Sequence, residues 1–221
     1  MSNYFITATD TDAGKTYVAC ALVRALVKNS HRVAVYKPIS AGCEIEEGQL
    51  VNEDAKLLSL EANCGQSILN INPIAFKEPI APHIAAYKTK KPITLQLISD
   101  GFNQVLSLNA DINIVEGAGG WRLPLGRGCY LSEFVIQAKL EVILVVNMKL
   151  GCLNHAVLTY ESIISDGLNC VGWVANCPTK MAYLTENINE LKELLPIPQL
   201  GTLSYSNDLS KAASEFNLSL L

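Results

Sequence analysis

The residues of this 221-residue chain that could do chemistry gather where short apolar runs end. After Tyr4 to Ile6 the sequence reads TATDTDAGKTYVACALVRAL, a Gly-Lys-Thr turn running straight into an amphipathic helical pattern. From Asp12 to Tyr17, residues Ala13, Gly14, Lys15 and Thr16 present successive backbone N–H groups at a helix N-terminus. Unpaired donors and the helix dipole hold phosphate oxygens there. In such a turn the lysine reaches the β- and γ-phosphates of a nucleotide and the threonine hydroxyl ligates Mg²⁺. The leading glycine of the usual GxxxxGKT pattern is replaced by Thr9, beside Ala8, so the loop is a variant form.

Other strand ends repeat the theme. Lys37-Pro38 follows the run Arg32 to Tyr36, Glu116-Gly117-Ala118-Gly119-Gly120 follows INIV, Asn147 follows VILVV, and Asn176 follows VGWVA. Glu116 stands where an acidic residue orders Mg²⁺ at the end of a strand, and the glycines after it allow a ligand to approach the backbone closely. Asp54 opens a helical stretch and reads equally as a second metal carboxylate or as an ordinary helix N-terminal charge. Lys37, at a strand end and before proline, does not fit a core position. Pro38 biases it to an extended backbone that aims its ammonium across the crevice at a transferring phosphate, the alternative being a solvated strand end. Lys15, Lys37 and Mg²⁺ together balance a triphosphate and one further anionic group.

Asn176 is followed by Cys177-Pro178-Thr179, without the aspartate of the guanine-reading Asn-Lys-x-Asp motif. An asparagine amide both donates to and accepts from an adenine edge, which favours ATP; a plain turn role for Asn176 stays open. Four residues before Gly14 stands Asp10, where partitioning-type ATPases carry an extra lysine. This argues against a nucleotide-switch dimer.

The elements that must position these groups follow from the pattern of apolar runs. Strands are expected at Tyr4 to Thr7, Arg32 to Tyr36, Ile112 to Val115, Val142 to Val146 and Val171 to Ala175. Helices are expected over Lys15 to Lys28, Asn52 to Leu60, Leu95 to Leu106, Leu131 to Ala138, Asn154 to Ser165 and Ala182 to Leu194. Runs such as VILVV are apolar without alternation, as strands covered on both faces must be. The fold class is therefore α/β, a doubly wound, mostly parallel sheet flanked by helices. Ligands of such sheets bind at the carboxyl ends of the strands, where all the residues named above converge. The stretch Asn70 to Pro92, with four prolines, reads as a long surface loop of functional length.

Composition sets the remaining bounds. With 49% hydrophobic and 17% charged residues, 1–221 is expected to form a single domain with a large core. A net charge of −4 and no basic run argue against nucleic acid as a partner. With no apolar span of membrane length and no signal-like N-terminus, the expected location is cytoplasmic. Seven scattered cysteines without a CxxC pair read as reduced, mostly buried thiols.

Taken together, TDTDAGKT, YKPISAG, NEDA, EPIAPH, VEGAGGWRLPL, VILVVNMKLGCLNHAVLT and GWVAN, in this order, closely resemble the dethiobiotin synthetases, P-loop enzymes of biotin synthesis. The resemblance implies a homodimer that binds 7,8-diaminononanoate, CO₂ and MgATP and releases dethiobiotin, ADP and phosphate. It assigns ATP to Asp12 through Tyr17, Asp54, Glu116 through Gly119, Asn176 and Cys177. It assigns Mg²⁺ to Thr16, Asp54 and Glu116, and catalysis to Lys15 and Lys37. Substrate falls to Thr11 and Lys37, and its carboxylate tail to Gly151, Cys152, Leu153 and Asn154 of the partner subunit. These last residues open a helix whose free N–H groups suit an anion.

The chain departs from the family at Ala8, for glycine, and at Ala41, for serine or threonine; Ser40, one place earlier in extended backbone, points to the other side. Cys177 replaces a common aspartate, and the LSYS stretch around Ser204 to Ser206 differs from the family's usual segment. Two other readings stay open: an amide-forming synthetase of the cobyrinic-acid kind, which normally carries an added glutamine-hydrolysing domain, and a P-loop regulator that hydrolyses ATP slowly without any diamine.

Overall fold

The computed structural model describes residues 1–204, 206 and 208–221. Six parallel strands form the central sheet: β1 (Ser2–Ala8), β2 (Val33–Tyr36), β3 (Ile112–Glu116), β4 (Glu141–Asn147), β5 (Cys170–Cys177) and β6 (Gln199–Ser204), in spatial order β6-β5-β4-β1-β3-β2. The helices among them are α1 (Lys15–Lys28), α2 (Glu53–Glu61), α3 (Ile68–Ile71), α4 (Pro82–Thr89), α5 (Leu95–Leu106), α6 (Leu131–Gln137), α7 (Cys152–Ser165), α8 (Leu184–Leu194) and α9 (Leu209–Ser214).

Because side chains alternate along a strand, each strand feeds two cores. Tyr4, Ile6 and Ala8 of β1 join Ile143 and Val145 of β4 under α1, α2 and α9, whereas Phe5, Leu144, Val146 and Trp173 face α5, α6, α7 and α8. The chain leaves β1 toward the β2 edge by way of α1 on one face. Having reversed direction, it returns by way of α5 and α6 on the other. Crossovers of constant hand require that change of face. The reversal leaves β1 between β3 and β4, with a crevice at their carboxyl ends.

Two expectations need correction. The stretch Asn70 to Pro92 is not a structureless loop. It holds a short strand at Ile74–Ala75 paired with Ile39–Ser40, and the helix α4, which Pro82 opens at its first turn, where proline's missing N–H costs nothing. Ala85 and Ala86 then seat α4 on the core. The sixth strand, β6, lay hidden in QLGTLS, whose glycine and polar residues dilute a strand signal; it adds to β5 at the sheet edge. The opposite edge, β2, is covered by side chains. Asn63 Oδ1 accepts from the Val33 N–H (2.7 Å), and the Gln66 amide bonds both the N–H and the C=O of Val35 (2.8 Å each), standing in for a further strand.

All seven cysteines are free thiols, and all but Cys64 and Cys129 are buried. Burial pushes the Cys170 thiol up to about 12. No helix among the described residues is long and apolar enough to cross a membrane.

Candidate active site

The turn between β1 and α1 is built as the sequence requires. Gly14 caps α1 with φ of 82°, a conformation that glycine adopts without strain, and a Cβ there would run into the Asn176 amide. Asn176 reaches this turn from the end of β5 and donates from Nδ2 to the Ala13 carbonyl (2.8 Å). Ala8, in place of the family glycine, lies inside β1 with Val145 as its partner and has no need of positive φ. The other left-handed position in the loop is Asp12 (φ 56°). Lys15, largely buried, turns its ammonium back onto the Asp10 carbonyl (3.2 Å). Burial lowers its pKa below the ordinary 10.5, with the Lys37 charge adding to the effect and Glu116 opposing it.

Lys37 is the unexpected member of the group, because it is neither solvated nor apart from the core: 3% of it is exposed. Its Nζ lies 2.7 Å from Glu116 Oε1 and 2.9 Å from Asp54 Oδ2. A buried ammonium survives only when paired, and two carboxylates pair this one. Burial alone would depress its pKa, but the charges and hydrogen bonds of Glu116 and Asp54 outweigh that and hold it above 10.5. For Asp54 burial works upward, yet the Lys37 ammonium, with hydrogen bonds from Lys37 and Thr16, brings its pKa below the usual 3.8. The Asp54 carboxylate thus faces Lys37 and Thr16 in the crevice.

Glu116 accepts from the Thr16 hydroxyl (2.7 Å) on the same Oε1 that meets Lys37, and its Oε2 is buried with no hydrogen-bond partner among the described residues. Thr16, Asp54 and Glu116 thus offer hard oxygen donors in one place, one of them unsatisfied. That set fits Mg²⁺, which keeps waters and shares its shell with phosphates. Among the described residues no group of three or more His, Cys, Asp or Glu gathers to hold a metal ion.

The glycine run after Glu116 packs tightly. Gly117 donates its N–H to Ile6 O (3.0 Å), and a Cβ on it would stand 2.8 Å from the Phe5 ring. Ala118 packs on the core, and Gly119 (φ 61°) lies opposite the Thr11 hydroxyl across the crevice. The run is then anchored by Trp121 and Arg122, both bonded to Asp166 (2.7–2.9 Å). Tyr17 donates its hydroxyl to Ser204 O (3.2 Å) at the end of β6. Tyr205 of the LSYS stretch is outside the described residues.

Cys177 is buried, its side chain in the core layer opposite α1. Gly151 (φ 92°) caps α7, which starts at Cys152, ahead of the expected Asn154. Cys152 is buried, Leu153 is half-buried, and Gly151 and Asn154 are exposed. Lys149, just before them, faces Asp10 of the phosphate loop (3.5 Å). Ser40 is no stand-in for the missing hydroxyl at Ala41, because its own hydroxyl is buried on Asn72 (2.6 Å).

Comparison with known proteins agrees with this geometry. A family model described as an AAA domain matches residues 2–213. By fold the chain is similar to a ParA family ATPase from Chlorobium tepidum (TM-score 0.56, 14% identity, 97% of this chain and 90% of that one) and to the MinC:MinD cell division protein complex of Aquifex aeolicus (TM-score 0.58, 14% identity, 96% and 85%). By sequence it is 48% identical over 220 residues to the ATP-dependent dethiobiotin synthetase BioD of Alteromonas mediterranea, covering 95% of this chain and 94% of that relative. It is 40% identical over 221 residues to the same-named protein of Pseudomonas paraeruginosa, covering 100% and 97%. Identity of this order along the whole length of both chains, with the phosphate loop, Lys37 and Glu116 in one crevice, means that the chain belongs to the ATP-dependent dethiobiotin synthetase family.

Proposed function

We propose that the chain catalyses the ATP-dependent carboxylation and ring closure of 7,8-diaminononanoate to dethiobiotin, with release of ADP and phosphate. The observation that carries this reading is the buried Lys37 ammonium held between Asp54 and Glu116 at the end of the phosphate-loop crevice. ATP binding alone calls for the loop and Lys15; a second buried cation suits a second anion.

That anion is a carbamate, formed when an uncharged substrate amine adds to CO₂ and loses a proton. Its oxygen attacks the γ-phosphorus, the β–γ bridge breaks, and ADP leaves. The second amine attacks the carbonyl of the carbamic–phosphoric anhydride, phosphate departs with the C–O bond broken, the attacking nitrogen releases a proton to phosphate or water, and the ring closes. Lys15 and Lys37 stabilise charge on the phosphoryl oxygens, while the crevice holds the carbamate in line; positioning and electrostatics are the main demands of phosphoryl transfer. Thr16, Asp54 and Glu116 are the residues that would hold Mg²⁺. Bound with the nucleotide, it supplies charge neutralisation at the phosphates.

We assign the nucleotide to Asp12 through Tyr17, Glu116 through Gly119 and the strand end at Asn176 and Cys177. The diamine falls to Thr11 and Lys37, and its carboxylate to residues 151–154 of a partner subunit in a homodimer. Leu150 beside that helix start is 97% exposed, as a surface awaiting a second copy would be. Phosphate release from MgATP, measured with and without the diamine and bicarbonate and with the product weighed by mass spectrometry, tests the reading. Release that depends on both and yields the dethiobiotin mass supports it. Release indifferent to the diamine refutes it and leaves a P-loop ATPase.

A further inference from the structure

Asn72 lies in the stretch that the sequence presented as loop, yet only 2% of it is exposed, and both ends of its amide are engaged. Nδ2 donates to the Lys37 carbonyl (2.7 Å), and Oδ1 accepts from the Ser40 hydroxyl (2.6 Å). The preceding residue, Ile71, accepts the Lys37 N–H through its carbonyl (2.8 Å). Both backbone polar groups of Lys37 are therefore held by two consecutive residues. The contact continues along the chain, with the Phe76 N–H on the Ser40 carbonyl and the Cys43 N–H on the Phe76 carbonyl (3.0 Å each).

We propose that Asn72 is a positioning residue for the synthetase reaction: its amide fixes the backbone from which Lys37 reaches the transferring phosphate. The inference rests on the role assigned to Lys37 above. A lysine head is carried by a flexible four-carbon stem, so its ionic partners define where it is drawn and its backbone defines from where. A Mg²⁺ held by Asp54 and Glu116 would compete for the carboxylates that pair Lys37, and the root of the side chain would then keep the ammonium in place. Pro38 contributes no N–H, and the Lys37 carbonyl is the next group that can be tied down. A buried amide with both ends satisfied has one orientation, because turning it over sets acceptor against acceptor.

The test compares three variants by steady-state kinetics and thermal unfolding. N72D keeps the shape and the acceptor but loses the donor to Lys37; K37A removes the lysine. Q66A loosens the same edge of the sheet without touching Lys37. N72D is expected to lose kcat by about tenfold to 100-fold, the scale of an ångström-sized misplacement, with the KM for ATP within about twofold. Q66A should keep kcat at a comparable loss of thermal stability. Wild-type kcat in N72D beside an inactive K37A overturns the proposal, as does an equal loss of kcat in Q66A. Normal turnover by K37A sinks the underlying reading of Lys37 instead, and the proposal with it. If N72D does not fold, S40A, which removes the Oδ1 partner together with a contact to Cys43 Sγ, must show a reduced kcat at unchanged KM for ATP; unchanged kcat there overturns the proposal.

Discussion

Lys37 and Glu116 form an almost fully buried ion pair, Nζ to Oε1 at 2.7 Å, and the same carboxylate oxygen also takes the Thr16 hydroxyl. One atom thus joins the end of β3, the end of β2 and the first turn of α1. The neighbouring Oε2 is left without a partner among the described residues. The pair makes the crevice a preformed electrostatic device whose charges are balanced before any ligand enters.

Breaking that pair from one side leaves the other charge buried, a cost of about 3–5 kcal/mol where no water or second partner replaces the lost one. Lys37 retains Asp54 in E116Q, so that substitution is expected to destabilise the ligand-free protein by about 1–3 kcal/mol. K37A should cost more, because Glu116 then keeps only Thr16. Both variants should turn over at least about 100-fold more slowly. Denaturant unfolding and phosphate-release assays on the same preparations check these values; a K37A protein as stable as E116Q would show that water reaches Glu116.

How much of this was legible depends on whether a local pattern or a distant partner decides it. The bounds of α1 and α5 follow from helical periodicity alone, and the strand-end placement of Lys37, Glu116 and Asn176 follows from apolar runs that stop abruptly. The helix α4 was masked by the prolines around it, although Pro82 is the residue that starts it. Burial of Lys37 could not be read locally, because the carboxylates that permit it come from α2 and β3. Asn72 carries no motif at all; its role exists only once Ile71 and Asn72 are laid beside the Lys37 turn.

The shifted pKa values give stability a definite dependence on pH. The pKa of Asp54 is held below 3.8 in the fold, so its contribution is present above that value and is lost as pH falls through the lower folded value. For Lys37, held above 10.5, the contribution is complete below 10.5 and disappears as pH rises through the higher folded value. Lys15 runs the other way: its depressed pKa means that its charging opposes folding at neutral pH until phosphate is bound. D54N should therefore show a shallower loss of Tm than the wild type below pH 3.8 and a lower Tm at pH 7. Parallel acid limbs in the two proteins would contradict the assignment.

The edge of the sheet offers a prediction free of the chemistry. Gln66 satisfies both polar groups of Val35, and removing it exposes them on the open side of an edge strand. Q66A is expected to lose about 1–2 kcal/mol and to associate more readily on heating, because an open edge recruits other strands. Thermal unfolding followed by light scattering reads both effects, and Tm at the wild-type value would mean that water replaces the glutamine without loss.

Asn176 poses the sharpest remaining question about nucleotide choice. Its position at the end of β5 suits an adenine reader, but its Nδ2 donates to the Ala13 carbonyl and its amide fills the space that a Cβ on Gly14 would need. A side chain so placed shapes the phosphate loop. A loop brace acts on every nucleotide, because the loop meets phosphates that ATP and GTP share, whereas a base reader acts on one. One amide hydrogen is committed to Ala13, which gives the brace an observed bond, while the second hydrogen and Oδ1 stay available to an adenine edge. N176A should accordingly raise KM for ATP and for GTP by a similar factor, about fivefold to tenfold for one lost hydrogen bond. It should also lower Tm in the absence of nucleotide. A variant whose KM rises for ATP alone, with Tm unchanged, would return Asn176 to the base.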